Sequence, residues 1–328
     1  MMRVFTNGQV YAILLVISFV LASQKPEWGI HLKLMSSGLL TDGLIVLIFL
    51  IQGLRLKTAS LREVWSKPAS GIAFQLSILL VPICWVILGS MLDLIKEEIE
   101  NSFLYIAILP TTISTCIVYT HAAGGDSDYS LGHATISNLL APIVITFLGS
   151  QIIDIGMVTS FGFVITKILW CVLLPSLLGW LISRSSASVR LLAIHDFFTM
   201  LPLFSISFIV FLTFCEGFHT LGTEVVWKSL KFTFLPCLGF VIALHVSGWF
   251  LSGMWSRERN IRISQFFCLS QKSLAMGMPL AIMLFAGSSA SLMKFLMPLF
   301  WVHFVQLLTG AMLLGYLSRW VHKEAITQ

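Results

Sequence analysis

The sequence predicts an all-α membrane protein with about ten transmembrane helices, arranged as two inverted repeats of five. Of its 328 residues, 57% are hydrophobic and only 11% are charged, whereas a soluble domain carries about 25% charged residues. The apolar residues also lie in long blocks of roughly 20 residues, which is the length that spans the hydrocarbon core of a bilayer. A soluble fold of this length could not bury so much apolar surface.

The apolar blocks follow one another with short connections, so the chain forms one integral membrane unit. The first block also fits a signal peptide, but a symmetric plan of ten spans favours a first membrane helix. The predicted spans lie near residues 8–23, 37–54, 70–92, 102–121, 130–153, 158–183, 196–215, 230–252, 263–286 and 295–318.

The basic residues predict the orientation in the membrane. With ten spans, the side that holds both termini carries twelve of the 20 Lys and Arg residues, and the other side carries six. The side richer in Lys and Arg is cytoplasmic, so both termini are expected inside, in the plasma membrane or in the inner membrane of a Gram-negative bacterium. The net charge of +5 therefore reflects orientation and does not indicate nucleic-acid binding.

The motif content argues against an enzyme and against a metal site. The sequence contains no HExxH or GxSxG motif and no pair of carboxylates within a span. Its six cysteines include no CxxC pair, so neither a metal site nor a disulfide framework is indicated. The lipid bilayer and a small solute are the expected partners.

Ten spans divide into halves of five, over residues 8–153 and 158–318, and the odd number inverts the second half relative to the first. The fourth span of each half is interrupted. Span 4 contains Pro110 followed by hydroxyl residues, and span 9 contains the polar run 270–273 followed by Gly277 and Pro279. Packing kinks are one explanation, since Pro and Gly are frequent in membrane helices. Paired breaks at matched positions favour a binding site, because unpaired backbone groups cannot face lipid.

These two interrupted segments also carry a family resemblance. The segment 109–126, LPTTISTCIVYTHAAGGD, and the segment 267–281, FCLSQKSLAMGMPLA, resemble the fourth and ninth helices of the bile acid:sodium symporter superfamily in its symporter-like branch. The resemblance covers essentially the whole chain. It implies a panel domain of helices 1, 2, 6 and 7 and a core domain of helices 3–5 and 8–10, in which broken helices 4 and 9 cross. It also implies transport of organic anions, often driven by sodium.

The resemblance assigns few sodium ligands to this chain. The positions that match ion ligands of the family are Gln75, Ser130 and Gln271. The other ligand positions carry residues without a suitable oxygen: Cys116, Ile117, Ala134 and Phe267. No cofactor is expected, and coupling to Na⁺ and coupling to H⁺ both stay open.

Lys272 lies at the predicted crossing, where a buried cation is costly and usually functional or paired. Three interpretations compete: it holds an anionic group of the substrate, it takes the place of sodium as a fixed or proton-switched charge, or it pairs with helix-end carbonyls as a structural element. Polar residues around both breaks complete the predicted transport site: Thr111, Thr112, Ser114, Thr115, Asn138, Gln271, Lys272 and Ser273.

The paired interrupted spans and the family resemblance together predict a secondary active transporter that moves a small organic anion by alternating access. In this mechanism the core rocks against the panel and exposes the crossing to either side. The alternative is a membrane sensor or regulatory protein on the same fold that does not transport, which the loss of most sodium ligands suggests.

Overall fold

The structure is a computed structural model in which all regular structure of the described residues is helical. The predicted span ends at 37–38, 153, 158–160 and 285–286 lie outside the described residues. The structure describes residues 2–36, 39–56, 64, 68–152, 161–184, 195–284 and 289–325.

The helices follow the predicted spans closely along the chain. A π-helical turn, Leu169–Leu173, connects α8 to α9 within predicted span 6. The first half contains α1 Met2–Gln24, α2 Pro26–Ser36, α3 Leu39–Leu54, α4 Pro68–Met91, α5 Glu97–Ile108, α6 Ile113–Ala122 and α7 Ser127–Ile152. The second half contains α8 Phe161–Ile168, α9 Leu174–Ser183, α10 His195–Leu221, α11 Thr223–Trp255, α12 Arg259–Ser270, α13 Leu274–Leu284 and α14 Ser289–Ala325.

Helix length and apolar character make this an integral membrane protein. Among the described residues, seven stretches are long and apolar enough to cross a bilayer, and nine if each of two bent helix pairs counts as one span. Predicted span 2 coincides with α3, an apolar helix of 16 residues. The exposed side chains Ile72, Leu76 and Leu80 on α4 recur every fourth residue, which places them on one apolar face of the helix, as expected for a span in contact with lipid. The inverted symmetry of the two halves stays a prediction.

The helices pack in two groups. In the panel group, α1 packs against α10, and α3 packs against both α9 and α10. In the core group, α4 packs on α5, α6 on α7, and α11 on both α12 and α14. These groups contain the spans that the family resemblance assigns to a panel and a core.

Helix α2 is an element that the sequence analysis missed, because it treats residues 24–36 as a connection. Pro26 starts this helix at its first turn, where its missing N–H costs nothing, and α2 is bent by 95° from α1. Gly29 lies directly against Cys215 of α10, and Lys33 pairs with Glu216 at 2.5 Å. The segment is too short and too polar to be found by a search for spans, so its position depends on these contacts with α10.

Close backbone contact holds α3 against α9 in the panel group. A Cβ atom at Gly53 would clash with the backbone of Ser176, and one at Gly179 would clash with the backbone of Leu50. Small residues allow this approach in membrane bundles, where dispersion between closely packed helices drives association. An ion pair of 3.2 Å between Lys167 and Asp42 adds a second link between spans 2 and 6.

Gly53→Ala is expected to destabilise the protein by about 1–3 kcal/mol, because the added methyl group meets backbone that cannot rotate away. Gly239→Ala is the matched control, since a Cβ there meets nothing within 4 Å and alanine favours a helix by up to about 1 kcal/mol. Thermal unfolding in detergent, followed by tryptophan fluorescence, measures both. Equal melting temperatures for the two variants would contradict the close contact.

Candidate substrate and ion site at the crossing of two broken helices

The breaks of spans 4 and 9 contact each other inside the core group. Leu109 has extended backbone, as expected for a residue before proline, and α6 is bent by 66° from α5 across the gap. In span 9, Gln271 is also extended. The backbone N–H of Ser273 donates to the carbonyl oxygen of Pro110 at 2.9 Å. The two interrupted segments therefore meet at the place where the family resemblance implies that they cross.

Lys272 lies at this crossing with its ammonium group fully enclosed. The residue is 1% exposed. Its Nζ donates to three backbone carbonyls, of Ile78 at 3.0 Å, Ala107 at 2.9 Å and Leu109 at 2.9 Å. A lysine ammonium has three N–H donors, so every donor is used. These bonds link span 9 to spans 3 and 4.

The three carbonyls need a donor because proline has interrupted their helices. Pro82 within α4 lacks an N–H, so the carbonyl four residues earlier, at Ile78, has no helical partner. Helix α5 ends before Pro110, which leaves the carbonyls of Ala107 and Leu109 beyond the reach of helical N–H groups. A cation at the C-terminal end of α5 is also favoured by the helix dipole. Lys272 thus supplies hydrogen bonds that two helices have lost.

This geometry distinguishes among the interpretations of Lys272. An ammonium whose three donors are bound to protein carbonyls does not hold a substrate group in this conformation. The arrangement fits a fixed cation that occupies a position built from backbone oxygens, and it fits a structural cap of α5. Both interpretations give the residue the same partners.

Gln306 on α14 binds the backbone of Lys272, and His303 on the same helix binds Gln306. The amide oxygen of Gln306 accepts from the Lys272 N–H at 2.9 Å, which fixes its Nε2 as a donor. This Nε2 donates to the Lys272 carbonyl at 2.7 Å and to Nδ1 of His303 at 2.8 Å. Nδ1 must therefore accept, so a neutral His303 carries its proton on Nε2. That Nε2–H has no hydrogen-bond partner among the described residues.

Two predicted site residues on spans 4 and 5 make hydrogen bonds at the breaks. Asn138 donates to the carbonyls of Thr111 and Ala134, both at 2.7 Å. Thr115 donates to the side-chain oxygen of Gln271 at 2.7 Å. Asn138 therefore mainly stabilises the broken segment. Ser114 is half-buried and lines a cavity.

The residues at the predicted ion positions belong to separate hydrogen-bond groups. Gln75 donates to the carbonyl of His133 at 2.9 Å, and Ser130 bonds Thr120 at 2.9 Å. Within the described part of the chain, no group of three or more His, Cys, Asp or Glu side chains could hold a metal ion.

At the position where the resemblance expects oxygen ligands, two thiols meet. Cys116 of span 4 and Cys268 of span 9 approach to 3.5 Å between their sulfur atoms, and both are completely buried. Thiols are soft ligands, whereas hard cations prefer oxygen. This part of the crossing therefore suits sodium poorly.

A small polar cavity of about 40 Å³ lies between the panel group and the core group. This volume is enough for a few water molecules or for the head group of a small solute. Its polar lining from the panel group comprises Tyr11, Gln52 and Arg55. Its polar lining from the core group comprises Thr112, Ser114, Thr115, Thr135, Asn138, Ser273 and His303.

A larger cavity of about 320 Å³ lies beside spans 3, 4 and 5. Its lining is almost entirely apolar, and its two polar side chains, Gln75 and Ser137, are both hydrogen-bonded. The smaller cavity contains the donors that a polar solute needs. It is therefore the better candidate for the site, although it has less volume.

The cavity contains two residues that the sequence analysis did not select. Arg55 follows the end of α3 and is one of the basic residues on the predicted cytoplasmic side, and His303 lies within α14. In the sequence, Arg55 is marked only by its position, as a basic residue directly after the end of span 2. The free Nε2–H of His303 depends on Gln306, and no sequence pattern reveals it.

An all-helical membrane bundle in which two discontinuous helices meet beside a polar cavity has the architecture of a secondary transporter. Residues 9–319 match the SBF-like CPA transporter family, so the chain belongs to this family of transporters.

Two relatives illustrate the similarity. The protein named "Putative symporter YfeH" of Escherichia coli is 27% identical over 95% of this chain and 93% of its own length. The zebrafish Danio rerio protein named "Sodium/bile acid cotransporter 7" is 23% identical over 97% of this chain and 96% of its own length. The similarity therefore extends through both predicted halves.

Lys272→Met is expected to destabilise the protein by about 1–3 kcal/mol for each buried carbonyl that loses its donor. Pro82→Ala offers a new N–H to the carbonyl of Ile78, so Lys272→Met should cost less in that background. A double-mutant cycle on unfolding in detergent measures this coupling.

Pro236→Ala, in α11, is the control for the cycle. Its cost should add to that of Lys272→Met without coupling. Additive costs for Pro82→Ala and Lys272→Met would contradict the proposed origin of the Ile78 bond.

Proposed function

We propose that the protein is a secondary active transporter that moves a small organic anion by alternating access. The observation that carries this proposal is the crossing of two broken helices beside a polar cavity that both helix groups line. Rocking of the core group against the panel group would open this cavity to one side of the membrane and then to the other. Membership in a family of transporters supports transport over a purely sensory role.

The preference for an anion follows from the helix ends at the cavity. Helix α6 begins at Ile113 after Thr112, which makes no side-chain capping bond, and α13 begins at Leu274. Residues from both first turns line the cavity, including Ser114 and Ala275. The start of a helix carries partial positive charge, which attracts anions. The small cavity accommodates a head group rather than a whole large molecule in this conformation.

The proposed orientation places both termini in the cytoplasm of the plasma membrane, or of the inner membrane in a Gram-negative bacterium, because Lys and Arg are concentrated on that side. The two inverted repeats, 8–153 and 158–318, would provide the symmetry that allows inward and outward states of similar energy.

For coupling, we propose that Lys272 replaces a mobile sodium ion. Its ammonium occupies a shell of three carbonyl oxygens at 2.9–3.0 Å, which resembles the surroundings of a bound cation. A second cation at the same oxygens would be repelled in this poorly screened interior. Since Lys272 is attached to the chain, it cannot be released in each cycle as sodium is.

The first test is uptake of radiolabelled carboxylates and sulfonates, from acetate to taurocholate, into proteoliposomes with the purified protein. Ser114→Phe should abolish uptake, because a large ring fills the cavity. Thr166→Phe is the control, since Thr166 is exposed on α8 and its variant should transport normally. Absence of uptake by the wild type, or normal uptake by Ser114→Phe, would contradict the proposal.

The second test replaces external sodium with potassium or choline during uptake. The initial rate is expected to stay unchanged, because the carbonyl shell is already occupied by Lys272. A saturable dependence of the rate on sodium concentration would rule out the proposed replacement of sodium.

A further inference from the structure

Arg55 is a cation at the polar cavity that the hydrogen bonds of the crossing do not use. It lies on the panel side, just after the end of α3, and it is half-buried. None of the three ion pairs between described residues includes Arg55. Lys272 has no donor left, so Arg55 is the lining residue that offers both positive charge and free donors to a solute.

His303 offers a second donor from the core side. It is 2% exposed and lines the same cavity. Its Nδ1 accepts from Gln306 at 2.8 Å, which leaves Nε2–H without a partner in the described structure. A buried donor without a partner is costly, and an acceptor group in the cavity would remove that cost.

Burial lowers the pKa of the Arg55 guanidinium from its ordinary value, because desolvation disfavours the charged form. A guanidinium nevertheless stays protonated in proteins. An anion beside it would restore the stabilisation that water no longer supplies. A planar group with two oxygens, such as a carboxylate, fits the paired donors of arginine best.

We propose that Arg55 and His303 form an anion clamp, in which the guanidinium binds the carboxylate or sulfonate of the substrate from the panel and the Nε2–H of His303 binds it from the core. This inference rests on the proposed transport function. It identifies the substrate as an organic acid that is ionised at neutral pH. Because the clamp joins two helix groups that move relative to each other, the bound anion would also stabilise the state in which they are closed.

A structural role for Arg55 is the competing explanation. Its backbone N–H bonds the carbonyls of Ile51 and Gln52 at 3.2 Å, and a cation at a helix C-terminus interacts favourably with the helix dipole. That role requires charge at the end of α3 but no contact with a solute. It predicts a loss of stability without a change in the preference for anions.

The experiment compares binding of each acid with that of its uncharged amide by the purified full-length protein. Isothermal titration calorimetry would use cholate with cholamide and benzoate with benzamide. The wild type should bind the acid of a pair more tightly than the amide. Arg55→Gln should weaken acid binding by about tenfold or more, because a charge-assisted bidentate contact is lost, and should leave amide binding unchanged.

Arg184→Gln is the matched control. Arg184 also follows the end of a span, and it is exposed, with its guanidinium 4.0 Å from the ring centre of Trp180. This variant removes the same charge outside the cavity, so it should bind both probes as the wild type does. Melting temperatures of all variants show whether each protein is folded.

Three outcomes would overturn the clamp. Arg55→Gln binds the acid as tightly as the wild type, or it loses the acid and the amide equally, or Arg184→Gln loses the acid to the same extent. Retained uptake of the acids by the wild type in any of these cases would leave the transport function intact. If the wild type neither binds nor transports any of the acids, the proposed function itself fails.

Discussion

The contact between the Lys272 ammonium and three backbone carbonyls is the interaction on which the core group depends. Broken membrane helices expose carbonyls that lipid cannot solvate, and the oxygens of Ile78, Ala107 and Leu109 are all satisfied by one side chain. Desolvating a cation is costly, but three hydrogen bonds and the C-terminal dipole of α5 offset that cost. Spans 3, 4 and 9 are thereby held in one arrangement.

A fixed charge at this position changes what the rest of the crossing can do. The oxygen-rich surroundings that would suit a mobile cation are occupied, and the neighbouring position carries Cys116 and Cys268 instead of hard ligands. The hydrogen-bond donors without a partner among the described residues lie elsewhere, at the cavity between the panel and core groups. Our proposals follow from this division: Lys272 stabilises the crossing, and the solute binds at the adjacent helix ends with Arg55 and His303.

Much of the architecture could be predicted from local sequence. Blocks of apolar residues indicate the spans, and Pro110 marks the break in span 4, because both properties act within a few residues along the chain. Helix α2 escaped prediction because its 11 residues are held by α10 and not by their own hydrophobicity. The sequence left three interpretations of Lys272 open and did not place His303 in the site, because their partners, Ile78 and Gln306 among them, lie on other helices.

The sequence by itself determined that this is a membrane bundle with two interrupted spans, since a bilayer imposes length and apolarity on every helix and proline removes a backbone donor wherever it occurs. Only the tertiary structure decided which carbonyls receive the three donors of Lys272 and which donors remain for a solute. Hydrogen bonds require atoms within about 3 Å of each other. Which residues come that close depends on the packing of spans that are distant in sequence. Arg55 and His303 therefore share a cavity that the sequence around each residue does not indicate.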